Sequence, residues 1–272
     1  MDMGIDATRA SEEWVRNFER HVRGTRWTRR AMRRLPHEPR CKFCFAPFAG
    51  AGAHFARAVG RRPSRKNPNF CDVCIEKGPP GGFETDGGVL FADVRGFTGF
   101  SETRPPAEVA EAMEAFYSVA TRVLVDHDAV IDKLVGDEVM ALFWPVLMGE
   151  NEPCEAMLRA GEALLREVGY GSSDPAALPL GVGLDFGRLH LGNVGPAGMH
   201  DFTALGDVVN TAARLQAEAE PGQVVFSERV YRAVGNGRGA RPVELEVRGK
   251  AEPVGAYILD VRGSRGTALA RS

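Results

Sequence analysis

The stretch Val89 to Glu102, VLFADVRGFTGFSE, decides how this chain is read. Val89 to Ala92 is a continuous apolar run of the kind that forms a buried strand, and it stops at Asp93. A carboxylate at a strand tip can hold a hard cation, and Gly96 and Gly99 let the backbone amides that follow approach phosphate oxygens. Taken alone, an Asp followed by Gly is an ordinary turn or helix cap. The next segments add a second carboxylate. Pro105 to Asp128 places Val109, Met113, Phe116, Val119, Ala120 and Val123 at helical spacing, with Pro106 near the start. Ala129 to Val135 and Val139 to Phe143 then read as two strands joined at Gly136-Asp137-Glu138, a hairpin. The order strand, helix, hairpin would bring Asp137 beside Asp93. Two carboxylates facing one point can hold two divalent ions, which offset the charge of a triphosphate and help ionise an attacking oxygen.

Further on, Pro153 to Val168 reads as a second helix with Cys154 as a packing residue, and Leu180 to Asp185 with Arg188 to Val194 as a strand pair. Val208 to Ala219 is a third helix, on which Asn210 and Arg214 lie one turn apart on one face. Val243 to Val247 and Ala256 to Val261 are the closing strands. The pattern is α+β.

Upstream, the composition changes. Residues 1–83 hold 17 Lys and Arg against 8 Asp and Glu, leaving 17 against 28 for the rest, so the formal net charge of -2 hides a basic N-terminal part joined to an acidic body. Residues 1–40 read as a basic helical segment, with Trp14, Val15, Phe18, Val22, Trp27, Met32 and Leu35 at near-helical spacing among arginines. Residues 41–77 form a four-cysteine module. Cys41-Lys42-Phe43-Cys44 and Cys71-Asp72-Val73-Cys74 each grip one side of a tetrahedral ion, zinc first and an iron–sulfur cluster second. The segment between the pairs, with Pro47, Pro63 and Pro68, looks too irregular to build a core unaided. Residues 78–88, GPPGGFETDGG, are a linker by composition, and 263–272 a flexible tail. Apolar runs are all shorter than a membrane span and Met1 to Ala10 lacks a signal-peptide core, so the sequence reads as soluble and cytoplasmic. The acidic body argues against a nucleic-acid partner.

Three segments, LFADVRGFTGFSE, IDKLVGDEVMALF and DFTALGDVVNTAARLQAEA, together resemble the signature motifs of the class III nucleotide cyclases, the adenylyl and guanylyl cyclases, in order and spacing over Phe83 to Val261. The resemblance implies a ferredoxin-like βαββαβ catalytic domain, here residues 89–262, that pairs head to tail as a homodimer with active sites at the interface. It implies that Asp93 and Asp137 hold two Mg or Mn ions, and that the backbone around Val94, Gly96, Phe97 and Thr98 wraps the phosphates. The second subunit would supply Lys133 and Thr203 to read the base, Asn210 to orient the ribose and Arg214 to stabilise the transition state. Lys250 in VRGKAEP would reach the terminal phosphates. Lysine donates to adenine N1 and threonine accepts from the 6-amino group, where guanylyl cyclases typically place Glu and Cys; the pair points to ATP. The expected activity is conversion of ATP to 3′,5′-cyclic AMP and pyrophosphate, regulated by the N-terminal module. A guanylyl or dual-specificity cyclase and a catalytically silent sensor are the alternatives. The four cysteines lie outside the resemblance.

Overall fold

The computed structural model describes residues 32, 34–35, 39–64, 67–75, 81–148, 152–172, 176–195, 201–245 and 254–262. They fall into two compact units, one within Met1–Thr85 and Arg188–Gly206, the other within Asp86–Gly187 and Asp207–Ser272. The basic helical segment expected over residues 1–40 lies outside the described residues apart from 32, 34, 35, 39 and 40, and the tail 263–272 lies outside them entirely.

The elements run α1 (Gly50–Ala58), α2 (Asp72–Ile75), β1 (Gly81–Val94), α3 (Phe97–Glu102), α4 (Pro106–Asp126), β2 (Val130–Val135), β3 (Glu138–Phe143), α5 (Pro153–Glu167), β4 (Leu180–Val194), β5 (Asp201–Leu205), α6 (Asp207–Glu218), β6 (Gln223–Ser227), α7 (Glu228–Val234), β7 (Arg241–Leu245) and β8 (Val254–Asp260). The sheet order is β2-β3-β1-β4-β6-β8-β7, with β5 paired to β4. Its first four strands have the order and connections of a ferredoxin-like βαββαβ unit. β1 pairs antiparallel with β3, β3 with β2, and β4 runs parallel to β6.

Burial explains the elements of the larger unit. Val89, Leu90 and Ala92 of β1 are fully buried, which is why that strand reads as an unbroken apolar run. Helix α4 turns Met113, Phe116, Ala120, Val123 and Leu124 inward, and Pro106 starts it where a missing N–H costs nothing. Each large side chain so buried contributes ~1.5–3 kcal/mol. Cys154 packs in this core as expected, and burial pushes its thiol up to about 12. Helix α6 lies directly on β4: a Cβ at Gly183 would sit 2.1 Å from the Gln216 amide nitrogen and 2.4 Å from the Ala212 carbonyl, so only glycine permits the approach.

Two expectations need correction. The composition of 78–88 signals a linker, yet β1 begins at Gly81. A Cβ at Gly82 would meet the Leu191 carbonyl at 2.5 Å, so glycine here serves close backbone contact within a sheet. Leu180 to Val194 is one continuous strand, and the partner of its second half is β5. The Asp185-Phe186-Gly187 step looks like a turn, but Asp185 is buried and accepts from the Ser227 hydroxyl (2.6 Å), the Phe186 amide (2.8 Å) and Arg229 Nη2 (2.6 Å). The structure adds β5, β6, α7 and, within the cysteine module, α1, each of nine residues or fewer and too short to show a clear hydrophobic period.

Candidate active site

The strand pairing brings Asp93 and Asp137 together. Asp93, next to last in β1, lies opposite Glu138 at the start of β3, and the Val94 amide donates to the Asp137 carbonyl at 3.1 Å. The turn that presents Asp137 has Gly136 at φ 60°, and the Tyr117 hydroxyl, from α4, donates to the Gly136 carbonyl. Burial and then the neighbouring Asp137 raise the Asp93 carboxyl to about 6, with Gln216 and Arg95 pulling the other way. Glu138 is pushed up as well, by burial and by the charges of Asp93 and Asp137. These are hard oxygen donors whose repulsion a divalent cation would relieve, so the pair fits Mg or Mn.

Arg95, which the sequence reading passed over, sits among them. Its Nη1 is 3.4 Å from Asp93 Oδ2, and its guanidinium also donates to the Gln216 carbonyl at the end of α6. Arg95 therefore ties the tip of β1 to the helix that carries Asn210 and Arg214. The signal was its place beside Asp93 in DVRG. Downstream, Gly96 at φ 72° leads into α3, so Val94, Gly96, Phe97 and Thr98 form a tight strand-to-helix turn in which Gly96 and Thr98 are exposed.

The other expected residues are spread over several elements. Lys133 lies on β2 opposite Met140, its side chain 46% exposed and 3.5 Å from Asp132 Oδ2. Asn210 is exposed and Arg214 half-buried on α6. Thr203 is buried on β5, in the other unit. Lys250 lies outside the described residues.

The four cysteines also converge. The Sγ atoms of Cys41, Cys44, Cys71 and Cys74 all lie within 4.8 Å of one another, and every one of these residues is buried and reduced. This set can hold a metal ion. Among the described residues no helix is long and apolar enough to cross a membrane.

Residues 84–260 match the family model of the adenylate and guanylate cyclase catalytic domain. An uncharacterized protein of Mycobacterium tuberculosis is 27% identical over 209 residues, which cover 75% of this chain and 34% of that protein. A second uncharacterized protein of the same organism is 26% identical over 185 residues, covering 67% and 32%. The chain thus spans about a third of the length of the curated relatives it matches. Among solved structures, the guanylyl cyclase Cya2 is 26% identical with a TM-score of 0.57, over 71% of this chain and 98% of that one. The adenylyl cyclase CyaB from P. aeruginosa is also 26% identical, with a TM-score of 0.58 over 68% and 99%.

Proposed function

The chain belongs to the adenylate and guanylate cyclase catalytic domain family, and from that premise we propose that it is an adenylyl cyclase, working as a homodimer in the reducing cytoplasm. The observation that carries the reading is the juxtaposition of Asp93 and Asp137 at the tips of β1 and the β2–β3 hairpin. These carboxylates would hold two Mg or Mn ions, which when bound supply charge neutralisation at the triphosphate.

The chain's own residues do the rest. The turn from Val94 to Thr98 wraps the phosphates with backbone amides. Asn210 holds the ribose so that its 3′-oxygen faces the α-phosphorus, and Arg214 stabilises the charge that develops there. The 3′-oxygen–phosphorus bond forms, the bond to the bridging oxygen of the β-phosphate breaks, the hydroxyl proton passes to water and pyrophosphate departs. Lys133 and Thr203 select adenine, the lysine donating to N1 and the threonine accepting from the amino group. Lys250 contacts the terminal phosphates. The half-site on each copy is completed by Lys133, Thr203, Asn210 and Arg214 of a second copy. Leu134 and Val135, 41% and 57% exposed at the end of β2, leave apolar surface there for that association. The N-terminal module regulates the enzyme by setting the geometry of the dimer.

One guanylyl and one adenylyl cyclase match equally well by identity, so the test takes both nucleotides. Purified protein with Mg or Mn should convert ATP to cyclic AMP and pyrophosphate faster than it converts GTP. A GTP preference transfers the reading to guanylyl cyclase. A folded dimer that cyclises neither nucleotide with either metal defeats it.

A further inference from the structure

Outside the catalytic match, which begins at residue 84, the cysteine module contains a buried cation that no carboxylate among the described residues balances. Arg61 is 9% exposed, and its Nη1 lies 3.8 Å from both Cys71 Sγ and Cys74 Sγ. Among the described residues neither an ion pair nor a hydrogen bond joins it to Asp or Glu. An unbalanced guanidinium is costly to bury. Four neutral thiols would not balance it. Four thiolates on one divalent ion carry a net charge of about -2 and would.

The sulfur geometry says which ion. Four thiolates at about 2.3 Å from one tetrahedral zinc stand ~3.8 Å apart. Cys44 Sγ and Cys71 Sγ are 3.7 Å apart, and all four sulfurs lie within 4.8 Å of one another. A four-iron cluster gives each thiolate its own iron and so spreads the sulfurs farther than one shared ion does. The backbone is shaped to the same point. Cys41 and Ala46 close one loop (2.9 Å, amide to carbonyl), Phe45 donates to the Cys41 carbonyl (2.8 Å), and Cys74 donates to the Cys71 carbonyl (3.0 Å). Phe45 is held at φ 62°, a conformation that a bulky residue keeps only where its surroundings dictate it. Lys42 donates to the Asn69 carbonyl at 2.9 Å, joining the two Cys-x-x-Cys loops.

We propose that Cys41, Cys44, Cys71 and Cys74 hold a single zinc ion in a closed tetrathiolate centre, and that Arg61 is the positioning residue whose charge retains it. Binding replaces four S–H bonds with four Zn–S bonds and releases four protons to solvent, with no change of oxidation state. With all four ligands at 2% exposure or less, there is no open coordination position for a substrate. The centre therefore organises the module; it does not catalyse. It stands whether or not the chain cyclises ATP.

The test uses the full chain as purified, with metal quantified by plasma mass spectrometry and acid-labile sulfide assayed on the same sample. One zinc per chain, with iron and sulfide absent, is expected. Iron with sulfide, or a folded chain without metal, overturns the assignment. Cobalt exchanged into the site should give the visible bands of a tetrahedral thiolate complex, and octahedral-type bands count against it. Arg61→Ala keeps all four ligands, so it separates charge balance from ligation. Zinc transfer to a chromophoric chelator should be about 10–100-fold faster from this variant, and Arg61→Lys should recover most of the difference. Equal transfer from wild type and Arg61→Ala overturns the role of Arg61.

Discussion

The sulfur cluster of Cys41, Cys44, Cys71 and Cys74 is sealed from solvent beside a buried arginine, whereas the carboxylates of Asp93 and Asp137 stay partly open, and Arg95 offsets only part of their repulsion. Both are sets of metal-capable side chains brought together from distant positions in the chain, yet they suit different ions and different work. Soft thiolates in a closed tetrahedron keep one ion and exclude everything else. Hard carboxylates at exposed strand tips leave room for a phosphate to share the cation. The difference lies in what completes each site. The cysteine module supplies its own counter-charge, while the carboxylate pair needs cations and, in the proposed dimer, side chains from a second copy.

The sharpest way to break this contrast is to remove a carboxylate. Asp93→Ala and Asp137→Ala should each lower kcat/KM for ATP by about 1,000-fold or more, near 4 kcal/mol of transition-state stabilisation, with zinc content unchanged. Circular dichroism should match wild type, since neither side chain is part of the core. Retained activity in either variant would remove the carboxylates from the mechanism. Loss of zinc in either would show that the two sites are not independent.

Shared construction predicts a rescue that a self-contained site cannot give. Asp93→Ala mixed with inactive Asn210→Ala in equal amounts should recover about a quarter of wild-type activity. Half of the dimers would be mixed, and each mixed dimer keeps one of its two sites intact. No recovery after confirmed subunit exchange would mean that each chain supplies its own Asn210. The selectivity pair should give a smaller effect. Lys133→Glu combined with Thr203→Cys should shift the ATP-to-GTP ratio of kcat/KM by about 10–100-fold toward GTP, because the donor to adenine N1 is replaced by an acceptor for the guanine edge. An unaltered ratio would place base selection elsewhere.

Much of this was legible in sequence because it rests on strong local signals. The strand ending at Asp93, the hairpin at Gly136-Asp137 and the α4 stripe are each written in hydrophobic period or turn chemistry, and the structure has all three. The two Cys-x-x-Cys pairs were equally plain. What stayed hidden depended on distant partners. Arg61 is one arginine of many until Cys71 and Cys74 are placed beside it. Arg95 gains its meaning from the Gln216 carbonyl, 121 positions away. The strand start at Gly81 was invisible because main-chain contact, not side-chain propensity, makes it a strand. The continuity of β4 through Asp185 was hidden for a related reason, since a carboxylate inside a strand makes sense only when its donors arrive from β6 and α7.

Asp185 is also the control for the comparison, a third carboxylate whose needs the protein itself meets. It is fully buried, and burial raises its pKa against the opposing pull of Ser227 and Arg229. Ser227 does two things there: its hydroxyl donates to Asp185 at 2.6 Å, and it caps α7 by accepting from the Val230 amide at 3.4 Å. Ser227→Ala should therefore cost ~1–2 kcal/mol of folding stability, read as a lower urea midpoint at unchanged slope. Neither zinc content nor kcat/KM per folded molecule should move, because this carboxylate is already satisfied and has no capacity left for a cation. A change in divalent-ion dependence in this variant would show that Asp185 belongs with Asp93 and Asp137, and the line between satisfied and unsatisfied carboxylates would have to be redrawn.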